Sequence, residues 1–207
     1  MQVIILATGN PGKVAEFRVL VSHLPVEMRT AKEVGYHQDI EETGKSFAEN
    51  AIIKAEALAE FTGLWAIADD SGIVVPSLNN EPGVYSARYA GEHATDAENN
   101  QKLLRRLDNS EEWERRAYFV SEIALARPGL PTETFRGECE GIILREARGT
   151  GGFGYDPLFL VPEFQLTYAQ LPMEIKNRIS HRGKAMDLCA KRMEELLHVT
   201  ESAESIK

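Results

Sequence analysis

The chain opens on an unbroken apolar run, Val3 to Ala7, rich in β-branched residues, which predicts a strand buried on both faces. The run stops at Thr8-Gly9-Asn10-Pro11-Gly12-Lys13, after which Val14, Phe17, Leu20, Val21 and Leu24 recur at helical spacing as far as Pro25. The order is strand, glycine-containing turn, helix. Ser46-Phe47-Ala48-Glu49 has the form of a capping box, and Phe47, Ala51, Ala55, Leu58 and Ala59 give the next helix one apolar face, with Asn50 and Lys54 off it. Trp65 to Ala68 predicts a short strand ending on Asp69-Asp70-Ser71-Gly72, and Ile73-Val74-Val75 resumes an extended pattern. Thr95-Asp96-Ala97-Glu98 is a second capping box, opening a helix that carries Leu103, Leu104 and Leu107. Ala117 to Ala126 and Thr132 to Leu144 read as strands, and Pro128-Gly129 as the turn of a long antiparallel hairpin. A last helix from about Gly183 to His198 turns Ala185, Leu188, Cys189, Met193, Leu196 and Leu197 inward, and the tail from residue 200 to 207 is expected to fray. Helix-linked strands together with a hairpin predict an α/β fold on a mixed sheet.

Composition narrows the function classes. With 207 residues, 43% hydrophobic and 27% charged, the chain is long enough for a real core and reads as a single domain over residues 1–199. Lys and Arg number 23 against 32 Asp and Glu, a net charge of 23 − 32 = −9, which argues against general binding to nucleic acid or to an anionic membrane surface. Cys139 and Cys189 are far apart and have no CxxC or His-rich company, so neither a zinc site nor a disulfide framework is expected. The opening apolar run is too short for a signal peptide, and no apolar stretch approaches the roughly 20 residues that span a bilayer, so the protein is expected to be cytoplasmic.

Four stretches carry candidate chemistry. Thr8 to Lys13 lies between strand and helix, where backbone N–H groups and the helix dipole favour a phosphate, although the spacing fits neither the P-loop nor the dinucleotide fingerprint. An ordinary strand-to-helix turn is the alternative. Asp69 and Asp70 stand at the end of an apolar strand, where unpaired charge is costly, and Glu41-Glu42 forms a second acidic pair before a helix. Oxygen ligands from two loops suit magnesium, while capping and solvated acids are the structural alternative. Gly149 to Pro157 packs four glycines around two aromatics expected to be exposed, Phe153 and Tyr155, a loop able to bring backbone close to a ligand and to stack a ring on a base. Lys176, His181, Arg182 and Lys184 bring cations to the start of the last helix, where acidic groups are ordinarily favoured, so an anionic ligand would explain them.

Taken in order, Ala7 to Lys13, Glu41 to Gly44 with Ser46-Phe47 and Glu49-Asn50-Ala51, Ala68 to Gly72, Pro82 to Tyr89, Gly149 to Pro157 and Ser180 to Gly183 resemble the inosine triphosphate pyrophosphatase family, the Ham1-like enzymes that hydrolyse non-standard purine nucleoside triphosphates. The resemblance runs over nearly the whole chain. It implies magnesium-dependent hydrolysis of ITP, dITP or XTP to the monophosphate and pyrophosphate by water attack at the α-phosphate. It also implies an elongated two-lobed mixed β-sheet flanked by helices, with a central cleft, usually as a homodimer. By the same resemblance Asp70 is the general base and a metal ligand, and Glu42 is the other metal-linked acid. Thr8, Gly9, Asn10, Pro11, Gly12 and Lys13 match the triphosphate loop, and Ser71, Phe153, Gly154, Tyr155, Asp156, Lys176, His181 and Arg182 match substrate positions. Two alternatives stand beside this reading: a septum-type nucleotide pyrophosphatase with another base preference, and a non-catalytic purine nucleotide sensor. The pairing of Asp70 with Glu42 speaks against the sensor, which has no use for a base beside a metal acid.

Overall fold

The computed structural model of the chain describes residues 1–204, with side chains as far as residue 198. Eight strands, β1 (Gln2–Leu6), β2 (Val26–Thr30), β3 (Trp65–Val75), β4 (Glu81–Pro82), β5 (Arg116–Ala126), β6 (Glu133–Ile143), β7 (Phe159–Val161) and β8 (Leu166–Thr167), form one sheet among the described residues. Their order is β2-β1-β3-β5-β6-β7-β8, with β4 paired to β3. β1 runs parallel to β2 and β3, whereas the pairs β3 with β4, β6 with β7 and β7 with β8 are antiparallel, so the sheet is mixed as the sequence predicts. The helices are α1 (Pro11–Leu20), α2 (Phe47–Thr62), α3 (Asp96–Arg106), α4 (Met173–Ile179) and α5 (His181–Glu204).

By contacts the chain divides into two compact units. The first comprises Met1–Asp70, Glu122–Gly137 and the chain from Gly183 onward; the second comprises Ser71–Ser121 and Glu138–Arg182. In the first unit the two-residue period of the strands sorts side chains by size. Ile4, Leu6, Ile67, Ile123 and Leu125 pack with Phe17 of α1, with Val21 just past its end, and with Ala185, Met186, Cys189 and Met193 of α5. The opposite face presents Ile5, Ala7, Ala66, Ala68, Ala124 and Ala126 to Ala51, Ala55, Leu58 and Ala59 of α2. Burial on both faces explains why β1 carries no polar alternation. The second unit has its own core, in which Ile73, Val75, Phe119, Ile143, Phe159 and Tyr168 meet Leu103 and Leu107 of α3.

Four local expectations are revised. β3 runs unbroken through Asp69 to Gly72, because both carboxylates meet lysines and need not leave the strand for water. Ser46 caps α2 by accepting from the Glu49 N–H at 3.2 Å, but the Glu49 carboxylate takes the Lys45 N–H, so only half of the capping box forms. Thr95 and Glu98 make theirs complete. The last helix starts at His181, not Gly183, and Lys176 belongs to the separate helix α4. The tail expected from residue 200 is helical as far as Glu204, and residues 205–207 lie outside the described residues.

Candidate active site

α1 starts directly after the β1 turn. Asn10 is its N-cap: the side-chain oxygen accepts from the N–H groups of Gly12 at 2.8 Å and Lys13 at 3.3 Å, while Thr8 Oγ1 accepts from the Asn10 N–H at 3.2 Å. Pro11, having no N–H to satisfy, occupies the first helical position beside the exposed Gly9. The donors that the sequence assigns to a phosphate are therefore taken by the cap in this structure. Lys13 instead places its Nζ 2.6 Å from Oδ2 of Asp69, a fully buried carboxylate.

α2 decides the acidic centre. Alanine against alanine lets this helix lie close to the sheet, and two polar side chains one turn apart, Asn50 and Lys54, thereby reach Asp70. Lys54 Nζ donates to Glu42 Oε1 at 2.8 Å, to the main-chain oxygen of Asp69 at 3.0 Å and to Asp70 Oδ1 at 3.2 Å. Asn50 Nδ2 donates to Asp70 Oδ2 at 3.1 Å, and its own oxygen accepts from the Gly44 N–H at 2.8 Å. Both oxygens of Asp70 are thus gripped from one helix. A Cβ on residue 44 would come within 2.6 Å of Asn50 Oδ1, so glycine allows the loop carrying Glu42 to close on α2. By sequence alone Asn50 and Lys54 lie off the apolar face with no evident task; the one signal is a polar pair at helical spacing beside a run of alanines.

Burial raises the Asp70 carboxyl above its ordinary range, and Glu42 adds to this, against Lys54, Lys13 and the Asn50 hydrogen bond. Burial pulls Lys54 down, but Asp70 and Glu42 outweigh it and hold the ammonium above the usual lysine value. Among the described residues no three His, Cys, Asp or Glu side chains gather as a protein-only metal cage. Glu42 and Asp70 nevertheless converge on one ammonium from two separate segments. Two hard oxygen donors, with the remaining positions open to water and phosphate oxygens, suit magnesium better than a metal that needs a full protein shell.

The second unit gathers the other candidates. Lys176 Nζ lies 2.7 Å from Asp156 Oδ2, both side chains buried, and the same oxygen accepts the Phe153 N–H at 3.0 Å. Arg182 donates from Nη2 to Ser71 Oγ at 2.9 Å. Lys176 Nζ and Arg182 Cζ stand 5.1 and 5.6 Å from the centre of the half-buried Phe153 ring. The cations at these helix starts are therefore matched locally by Asp156, Ser71 and an aromatic face. His181 stacks on Phe119 with centroids 4.7 Å apart and planes 11° from parallel. Gly154 is held through its backbone by Asp96 and Asn100. Tyr155 departs from the expectation of an exposed aromatic: it is buried, and its hydroxyl donates to Ser86 O at 2.8 Å, so it fastens the loop to the Gly83–Arg88 turn. Ser86 in turn accepts the Ile73 N–H and donates to Gly83 O, which gives the Pro82 to Tyr89 motif a structural role.

Residues 4–192 match the family model described as the Ham1 family. The chain belongs to the Ham1 family. Among its curated relatives, the dITP/XTP pyrophosphatase of Geobacter sulfurreducens is 50% identical over 185 residues, 89% of this chain and 93% of that protein. Among solved structures, a HAM1 protein from Coxiella burnetii superposes with a TM-score of 0.87 at 46% identity, covering 94% of this chain and all of that one. The Ham1 protein of Staphylococcus aureus gives a TM-score of 0.85 at 43% identity, over 94% and 99% of the two chains. The Ham1 fold, a mixed sheet flanked by helices, and the enzyme class, a hydrolase of phosphoric anhydride bonds, are both borne out.

Proposed function

We propose that this chain is a magnesium-dependent pyrophosphatase that takes ITP, dITP and XTP to the monophosphate and pyrophosphate, removing them from the nucleotide pool before incorporation into DNA or RNA. The observation that carries the reading is Asp70, a buried carboxylate gripped on both oxygens and paired through Lys54 with Glu42. A relative named dITP/XTP pyrophosphatase at 50% identity supports the substrate class. Asp70 is the base that takes the proton from the attacking water, and its raised pKa brings it toward the operating pH, where general bases are most effective. Glu42 and Asp70 would hold the magnesium ion, which when bound offsets negative charge on the phosphate oxygens. Lys54 and Asn50 keep the Asp70 carboxylate fixed, so little reorganisation is needed at the moment of reaction. Thr8 to Lys13 take the triphosphate, with the Asn10 cap giving way to phosphate oxygens.

Phe153, Asp156, Lys176, His181 and Arg182 with Ser71 take the base. A 6-keto purine presents an acceptor where adenine presents an amino donor, so a donor-lined pocket rejects adenine by mispairing, at a cost of about 1–3 kcal/mol. The enzyme works as a homodimer, as the family resemblance implies. Sedimentation at twice the 23.1 kDa chain mass supports the dimer and a single-chain mass overturns it.

A nucleoside triphosphate panel with separate pyrophosphate and phosphate detection tests the function. Pyrophosphate from ITP, dITP and XTP in magnesium, little from ATP and none in excess chelator is expected; orthophosphate as the product, or equal turnover of ATP, overturns it. Asp70→Asn is expected to abolish turnover while ITP still binds, and a near wild-type kcat removes Asp70 as the base. Arg182→Ala is expected to lower kcat/KM for ITP roughly tenfold to a hundredfold more than for ATP, and equal losses would assign Arg182 to phosphate instead.

A further inference from the structure

The first two turns of α3 hold the glycine-rich loop from outside the substrate candidates. Asp96 Oδ2 accepts the Gly154 N–H at 2.6 Å, and Asn100 Nδ2, one turn later on the same helix face, donates to Gly154 O at 2.9 Å. Both backbone groups of the residue after Phe153 are thereby satisfied by a single helix. The helix start does not need these side chains for itself, because Thr95 and Glu98 already make a complete capping box. Asn99, between them, turns elsewhere: it accepts from the Ala90 N–H at 2.7 Å and donates to Ala87 O at 3.1 Å. Asn100 Oδ1 is buried and finds no partner among the described residues, a cost that an apolar residue of similar shape would avoid. The side chain is explained by its donor half, whose hydrogen bond goes to the loop.

We infer that Asp96 and Asn100 are positioning residues for base selectivity, fixing Gly154 so that the neighbouring Phe153 ring keeps its place beside the Lys176 and Arg182 cations. The Phe153 N–H is already tied to Asp156, so the α3 clamp supplies the second fixed point of the loop tip. Two anchors on either side of one aromatic residue fix the backbone from which its ring projects. An edge-on difference as small as keto against amino can be read only if the base is held in a constant plane. This inference rests on the reading that the loop takes the base.

The test measures kcat/KM for ITP and for ATP on the wild type and on Asn100→Ala, Asp96→Ala and Asp96→Asn. The alanine variants are expected to narrow the ITP:ATP ratio by about tenfold, the loss falling mainly on the KM for ITP, since the acidic centre is untouched. Asp96→Asn keeps an acceptor for the Gly154 N–H and is expected to restore most of the ratio. A purely structural contact would lower both substrates together, and a ratio unchanged in both alanine variants overturns the inference. A wild type without preference for ITP would instead defeat the base assignment itself. Should the alanine variants fail to fold, amide exchange at Gly154 in the wild type decides: slow exchange is expected, and exchange as fast as in an open loop overturns the clamp.

Discussion

Asp70 illustrates how a carboxylate is kept against its own burial. Its folded pKa stands above the ordinary value of 3.8, so the native chain takes up a proton there before the unfolded chain does. The burial penalty is therefore absent below the unfolded pKa and grows as pH rises through the folded one. Asp70→Asn removes that titration, and its stability relative to wild type is expected to improve as pH rises above the ordinary value of 3.8 in chelator, as read by denaturant unfolding. Parallel stability curves would show that Asp70 is not destabilised as a carboxylate. Lys54 carries the opposite sign. Without it Glu42 and Asp70 lose their shared cation, so Lys54→Met is expected to cost about 3–5 kcal/mol at neutral pH, with part recovered in the Lys54→Met, Asp70→Asn double variant. In the glycine-rich loop, Gly152 has φ of +73°, and a Cβ there would run into the Asp156 carboxylate, which is pinned by Lys176. Gly152→Ala is expected to destabilise by at least about 1 kcal/mol and to raise the KM for ITP; an unchanged melting temperature would mean that the loop relaxes freely.

The unit that makes the acidic centre possible is a helix with an alanine face. Ala51, Ala55 and Ala59 bring α2 near enough to β3 for the short Asn50 side chain to reach Asp70, a contact that a leucine-lined helix standing further off could not make. Ala55 is completely buried. Ala55→Leu is therefore expected to cost about 1–3 kcal/mol by overpacking, and also to depress kcat by pushing Asn50 and Lys54 away from the carboxylate. Thermal melts and kcat on the same variant check this together, and a destabilised protein with unchanged kcat would separate the packing of α2 from the chemistry. The same reasoning explains why β3 stays regular across its acidic pair: the polar partners come to the strand, so the strand does not have to bend outward for solvent.

At the scale of the whole molecule, a net charge of −9 repels a polyanion, and a triphosphate must be won by local cations against that field. Lys13, Lys54, Lys176 and Arg182 are each already set against an acidic or hydroxyl partner. Duplex DNA is a far longer polyanion than a triphosphate and meets that field over its whole length. A large excess of it is expected to leave pyrophosphate release from ITP unchanged at physiological salt, and strong competition would reveal a basic surface that the net charge hides. Among the described residues no helix is long and apolar enough to cross a membrane.

Local rules made most elements legible in the sequence. The apolar run of β1, the helical spacing behind Pro11, the Thr95 capping box and the period of α5 each depend on neighbours within one or two turns of chain, and each element forms, although α1 ends at Leu20 instead of reaching Pro25, and α5 starts at His181 and leaves Leu188, expected inward, exposed. The acidic pair, the glycine-rich loop and the basic helix starts were visible for the same reason, since each sets costly or conformationally special residues side by side. What the sequence could not decide is which partner a polar side chain meets across the fold. Asn50 and Lys54 look like solvated positions until α2 is laid on an alanine-faced sheet, and Tyr155 looks like an exposed ring until Ser86 O is brought to its hydroxyl. Asp96 and Asn100 read as ordinary helix-start residues until a loop more than fifty positions away is seen to hang from them. Periodicity reports which face of an element is apolar, but the partner of a buried charge depends on how closely two elements approach, and that distance is set by packing among residues remote in sequence.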